Sequence, residues 1–332
     1  MKAFFKKWGL LSAVFLVSMV IIVGCGTQKK TAQSETNEGK EVSQQETGKE
    51  SGQSFPITLT DDAGREVTIE EKPETIVSIQ ASSTEIAFAL GLGDKIVGVS
   101  DYDNYPPEAL EKEKVGAQDI NIERVLTLLP DIALVTDFHY KTHPDTLKQF
   151  EEAGIKVIVV GSAASFDDVY HNIEMIGSAT GSETEANEII SDMKKRFSAI
   201  KEKAAAIKDK KKVWVEVAPA PDIFTTGTNT FMHEMLESIQ ATNAAEEHEG
   251  WVKLTEEEIV KLNPDVIITT YGYYVENPKE QVLARKGWAE VPALKNKQVF
   301  DVDNDTVTRP GPRLIEGVET LAELIYPEVF KQ

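Results

Sequence analysis

His139 and His143 stand four residues apart, a spacing that puts two imidazoles on one helical face and can hold a metal ion. Pro144 follows directly and stops such a helix, and the single cysteine, Cys25, lies far away, so no metal centre is expected. Ser191-Asp-Met-Lys194 has the serine-to-lysine spacing of acyl-transfer enzymes. It falls inside a charged helical stretch without companion motifs, which makes it a coincidence of spacing. Gly91-Leu-Gly93 precedes an apolar strand run, whereas a phosphate-cradling loop follows one. No Ser-His-Asp set and no carboxylate pair stands out, so no catalytic residue is expected. The remaining candidates are side chains suited to binding. Tyr102 and Tyr105 occupy an Asp/Asn/Pro-rich stretch, Phe224 follows Ile223, and Trp251 comes after Glu246-Glu-His-Glu249-Gly250 and before a helix start. Rings in such settings stay near the surface, where a flat apolar face with a polar handle can grip a flat ligand. Trp214 alternates with Val213 and Val215 and reads as core.

Positioning such groups needs a folded frame, and the composition provides one. The chain has 332 residues, 41% of them hydrophobic and 27% charged, which excludes general disorder. Acidic residues outnumber basic ones 55 to 35 and the formal charge is −20, so phosphate backbones are repelled and nucleic acid is not an expected partner. Residues 1–24 form a lysine-bearing start and an apolar run, the pattern of a removable export signal. Ile22-Val23-Gly24-Cys25 is a lipobox-like sequence, so Cys25 is the expected lipidation site and the new N-terminus. Within residues 25–54 the polar stretch after Cys25 has no aromatic residue, and Val42 is its only branched aliphatic, too little apolar surface to fold. It reads as a flexible tether.

From residue 55 onward, β-branched runs alternate with helical stretches. The runs are Thr75–Ile79, Lys95–Val99, Ile132–Val135, Lys156–Val160, Lys212–Val217, Val266–Thr270 and Gln298–Val302, the pattern of α/β parallel sheets. Residues 184–211 lack glycine and proline and carry apolar residues at helical spacing, which predicts one helix of about 40 Å. An internal repeat supports two lobes. Asn121-Ile-Glu123 leads to Pro130-Asp131 and an apolar run, and Thr255-Glu-Glu257 leads to Pro264-Asp265 and another. Each copy reads as a capped helix that halts before proline and feeds a buried strand. Glu123 and Glu257 fall at the second helical position, favoured by the helix dipole and directed outward. Two similar faces with one glutamate each suit a partner that is itself roughly two-fold.

Thr60-Asp-Asp-Ala-Gly-Arg65 and the stretch from Ser78 through Gly93-Asp94 to Val99 resemble the substrate-binding lipoproteins of ABC importers. The likeness lies in the branch that takes up cobalamin, haem and ferric siderophores, and it spans about residues 55–330. It implies two Rossmann-like lobes joined by one long backbone helix: 55–163, an interlobe segment 164–211, and 212–332. It further implies a ligand between the lobes and a permease dimer with its ATPase as partner. By motif position, Glu123 and Glu257 would dock the permease. Val99-Ser-Asp-Tyr102-Asp-Asn-Tyr105, Phe224-Thr-Thr-Gly227, Gly250-Trp251-Val and Asp305-Thr-Val-Thr-Arg309 are similar to the cobalamin binders. The resemblance therefore implies Tyr102 and Trp251 against the corrin plane from opposite lobes, Phe224 as a further apolar contact, and Asp305 and Arg309 at the rim. A ferric siderophore or haem is the alternative ligand. This chain departs from the pattern at Gly116-Ala117-Gln118 and near Thr136-Asp137-Phe138, where the cobalamin binders carry tryptophans; Phe138, His139 and Tyr140 are the candidate replacements.

Overall fold

The computed structural model describes residues 54–331; the export signal, Cys25 and the tether up to residue 53 lie outside the described residues. An antiparallel hairpin, β1 (Ile57–Thr60) and β2 (Glu66–Ile69), comes first. Asp61 closes its turn by accepting from the Arg65 backbone and side chain. The first lobe then builds a parallel sheet from β3 (Ile76–Ser78), β4 (Ile96–Val99), β5 (Glu113–Lys114), β6 (Ile132–Thr136) and β7 (Lys156–Val160), in spatial order β5-β4-β3-β6-β7. Its helices are α1 (Ala81–Ala89), α2 (Ile122–Leu128), α3 (Asp137–Thr142) and α4 (Pro144–Glu152).

Two helices follow, α5 (Phe166–Thr180) and α6 (Glu183–Ala204). The second lobe contains the strands β8 (Lys212–Glu216), β9 (Phe224–Thr226), β10 (Thr242–Asn243), β11 (Trp251–Lys253), β12 (Val266–Thr269) and β13 (Val299–Asp301). Four of these form a parallel sheet in the order β10-β8-β12-β13, while β9 and β11 pair as a separate antiparallel ribbon. The accompanying helices are α7 (Phe231–Ser238), α8 (Glu256–Leu262), α9 (Pro278–Leu283), α10 (Pro292–Lys295), α11 (Asn304–Thr308), α12 (Leu314–Ile325) and α13 (Pro327–Phe330). The central strands are almost wholly buried, as parallel strands covered by helices on both faces must be. Each predicted strand run matches an observed strand to within one residue at each end.

The long helix is shorter than its sequence predicts. It stops at Ala204 rather than Lys211, so its 22 residues span about 33 Å. The Ala/Lys-rich tail has helical propensity, but the chain must reverse here to enter β8. Ile207 N–H closes a turn on the Ala204 carbonyl, and the Tyr326 hydroxyl accepts from the Lys211 N–H. Tertiary pinning overrides local preference.

Helices α5 and α6 make the connection between lobes stiff. One apolar cluster runs from Ile86 in the first lobe through Phe166, Ile173 and Met193 to Leu236 and Leu321 in the second. Phe166 stacks on Phe197 with centroids 4.4 Å apart, and Arg196 grips Glu319 of α12 with two hydrogen bonds of 2.9 and 2.7 Å. Moving the lobes far apart would expose this cluster to water, so only a small change of interlobe angle is compatible with it.

The internal repeat is real in three dimensions. Helices α2 and α8 are both seven residues long and capped by Asn121 and Thr255. Asp131 accepts from the Thr75 N–H beside β3, and Asp265 accepts from the Lys212 N–H at β8. Both helices also end on a left-handed residue, Leu129 (φ 44°) in one lobe and Asn263 (φ 54°) in the other. Leucine pays for that conformation and asparagine tolerates it. Leu129 is largely exposed, so Leu129→Asn should raise unfolding stability by about 0.5–1 kcal/mol, and Asn263→Leu should lower it by a similar amount. Urea denaturation of the two variants checks this. Equal or opposite shifts would contradict the strain at Leu129.

Candidate functional site

In parallel α/β sheets, ligands bind beyond the carboxyl ends of the strands, where the strand order reverses. That point lies between β3 and β6 in the first lobe and between β8 and β12 in the second. The loops leaving these ends meet across the lobes. A cavity of about 560 Å³ opens there, with Tyr102 and Asn104 on the first-lobe side. Tyr273, Asp303, Asp305 and Arg309 line the second-lobe side.

The first-lobe loop is held from below. Asp103 is buried and accepts from the Ser100 hydroxyl at 2.5 Å, while the Lys114 ammonium donates to the carbonyls of Ser100 and Asp103. These bonds fix the backbone on both sides of Tyr102, whose ring is 73% exposed. The second-lobe loop has its own anchor. Glu216, fully buried at the end of β8, accepts two hydrogen bonds from Arg285 (2.9 and 2.5 Å) and one from the Tyr271 hydroxyl at 2.6 Å. The buried anion is thus satisfied and pins Tyr271, two residues before the exposed Tyr273. A Cβ at Gly272 between them would run into the Asp301 carboxylate, which would have to give way.

Between the two loops lies an ion cluster. Glu85 of α1, almost fully buried, accepts from Arg313 at 2.7 Å through the guanidinium and 3.2 Å through the backbone N–H. It also lies 3.6 Å from Arg309. The Arg309 Nη2 is held by Asp305 at 2.9 Å and by Asn104 at 2.6 Å, while its buried Nη1 makes no hydrogen bond. The Arg313 guanidinium lies 3.4 Å over the Tyr105 ring. Gly311 lets the chain come this close, since a Cβ there would lie 2.9 Å from the Glu85 carboxylate oxygen.

The structure brings Tyr102, Asp305 and Arg309 together in one cavity. Arg309 is mostly buried and committed to protein partners rather than free at the rim. The aromatic residue that shares the cavity with Tyr102 is Tyr273, not Trp251. Phe224 and Trp251 stand instead on one face of the β9–β11 ribbon, which leaves the carboxyl end of β8 through a Val217 N–H to Phe224 carbonyl bond. Trp251 is 59% exposed and Phe224 39%. Glu123 and Glu257 both occupy the second position of their helices and are exposed. His139 does not replace a missing aromatic. It is buried, its Nε2–H donates to the Ala117 carbonyl at 2.7 Å, and its Nδ1 accepts from Thr136. Burial holds its pKa below the ordinary value, which favours the neutral ring. Phe138 and Tyr140 are partly exposed beside it. Sequence reasoning missed Tyr273, although Tyr271-Gly-Tyr-Tyr274 directly after a strand run carried a signal: a glycine and three tyrosines at a strand's carboxyl end. Glu85 left no such signal.

The family model described as "Periplasmic binding protein" matches residues 76–306. The uncharacterized ABC transporter substrate-binding lipoprotein YvrC of Bacillus subtilis is 46% identical over 98% of this chain and 100% of its own. A crystal structure of a possible iron-binding (periplasmic solute-binding) protein from Staphylococcus epidermidis is 35% identical, with TM-score 0.68, covering 77% of this chain and 100% of that one. The periplasmic vitamin B12 binding protein of Vibrio cholerae is 27% identical, with TM-score 0.64, over 78% and 99% of the two chains.

Burial also shapes the titration of the loop under Tyr102. Desolvation holds the Asp103 carboxyl above the usual carboxylate value, against the opposing pull of Ser100, Thr84 and Lys114. The folded state therefore binds this proton more tightly than the unfolded chain. The resulting stability is present below the unfolded carboxylate value and is lost as pH rises through the folded one. Asp103→Asn removes that loss, so the variant should gain stability relative to wild type as pH rises above the ordinary carboxylate value. Urea unfolding across that rise in pH measures it, and a difference independent of pH would contradict the assignment.

Proposed function

We propose, since this chain belongs to the periplasmic binding protein family, that its interlobe cleft captures a cobalamin-type corrinoid for an ABC importer. The coarser statement needs no proposal: the chain is an ABC-importer substrate-binding protein of the cobalamin, siderophore and haem class, and not an enzyme. The observation that carries the finer reading is the pair of tyrosines, Tyr102 and Tyr273, in one cavity from opposite lobes. A corrin is a broad apolar disc fringed by amides. Tyrosine rings match its faces, and the carboxylate and amide groups of Asp303, Asp305 and Asn104 match its N–H donors. Phe224 and Trp251 extend the aromatic surface along the ribbon. A ferric siderophore or haem is the second reading, favoured by the iron-binding description of the Staphylococcus epidermidis relative.

Delivery belongs to the same proposal. Cys25 carries the lipid that keeps the protein at the outer face of the membrane, and YvrC, a lipoprotein, supports this. Glu123 and Glu257, repeated at matching places in the two lobes, dock the two halves of the permease. One experiment separates capture from delivery. Tyr102→Ala combined with Tyr273→Ala should weaken cyanocobalamin binding by about 10- to 100-fold in calorimetry, the scale of two aromatic contacts. Glu123→Arg with Glu257→Arg should leave binding within about twofold and abolish corrinoid uptake by cells, as reversed charges at a docking interface do. Unchanged affinity in the first pair, or normal uptake in the second, would count against the corresponding role.

A further inference from the structure

We infer that Glu85 sets the charge class of ligand that this cleft accepts, by sequestering the two arginines nearest to it. The inference deepens the reading of the cleft as the ligand site and rests on it. Arg309 lines the cavity and Arg313 lies beside it on Glu85, and arginine is the side chain best suited to grip a carboxylate, catecholate or phosphate. Both are already paired with carboxylates, and each keeps one buried donor without a hydrogen bond, Arg309 Nη1 and Arg313 Nε. Glu85 reaches across from the first lobe and engages Arg313 by side chain and backbone, with Arg309 within 3.6 Å. Asp305 and Asn104 both hold the Arg309 Nη2, while Nη1 faces Glu85 without a hydrogen bond. Two carboxylates thus neutralise two guanidiniums, and Asp301 and Asp303 remain on the cavity wall without a cation of their own among the lining residues. Asp301 accepts from the Thr269 hydroxyl and Asp303 from the Asp305 N–H, so both are held in place.

The cavity is therefore negative in sum, and the charge of Arg309, the cation among its lining residues, is already balanced by Asp305 and Glu85. An anionic ligand would meet carboxylates without a compensating donor, an arrangement that rejects it. A neutral or cationic ligand rich in N–H donors meets acceptors. Glu85 is a positioning residue in this scheme: it touches no ligand, and it acts by holding the guanidiniums away from one.

Glu85→Gln keeps the shape and removes the charge. The test titrates wild type and variant with a ferric tris-catecholate, an anion, and with cyanocobalamin, which carries no net charge. The variant should bind the anion at least about tenfold more tightly than wild type, the scale of one charge-assisted hydrogen bond. That gain should shrink as salt is raised, and cyanocobalamin affinity should move by less than about threefold. A merely structural role for Glu85 would lower both affinities together. Asp305→Asn frees Arg309 Nη2 and should likewise raise affinity for the anion, the only readout used for this variant because Asp305 also faces the ligand, which keeps the test alive if Glu85→Gln does not fold. A gain in anion binding supports the inference even if no corrinoid binds wild type, an outcome that would overturn only the corrinoid reading. Folded variants without any gain for the anion would overturn the inference itself.

Discussion

Glu85 carries a full charge at the seam between two lobes, nearly out of reach of water, and the cleft is organised around the arginines that answer it. A carboxylate in that position is tolerable only when paired and hydrogen-bonded, and removing one partner of such a pair typically costs about 3–5 kcal/mol. Its partners lie 224 and 228 residues further along the chain, so the contact exists only when both lobes are folded and correctly docked. Arg309 then reaches Asn104, and Arg313 covers Tyr105. The loop that displays Tyr102 is in this way fastened to the opposite lobe as well as to its own.

The rest of the molecule serves to keep that seam in register. Helices α5 and α6 carry an unbroken apolar cluster from one lobe to the other, and the Arg196–Glu319 pair ties α6 to α12. A stiff connection confines the lobes to small excursions. Within each lobe the same device recurs, with an aspartate after proline tying the start of one strand to the strand beside it. The repetition leaves each lobe with an exposed glutamate in the first turn of a short helix. The interlobe cleft and the two exposed glutamates therefore belong to one rigid frame.

Much of this frame was legible in the sequence because parallel strands are buried on both faces and leave uninterrupted β-branched runs. The Pro-Asp repeat was legible because capping and proline chemistry are local. Four things were not. The three-residue β9 and β11 are too short to show a period, so the ribbon under Trp251 was invisible. The end of α6 is set by Tyr326 and by the entry into β8, contacts that no local propensity encodes. Glu85 reads as an ordinary residue of Ala81-Ser-Ser-Thr-Glu-Ile, because its role depends on partners in the other lobe. Similarly, Tyr102 was recognisable as exposed, but its cavity neighbour Tyr273 was settled only by how the lobes face each other.

The most direct measurement is a calorimetric titration of the full chain in detergent with cyanocobalamin, haem and a ferric tris-catecholate in separate runs. The aromatic, arginine-poor cleft predicts one-to-one cyanocobalamin binding at about micromolar or tighter, with no heat from the two anionic ligands. Tight binding of haem or the catecholate with cyanocobalamin silent would contradict it, and would mean that Arg309 or Arg313 leaves Glu85 when ligand arrives.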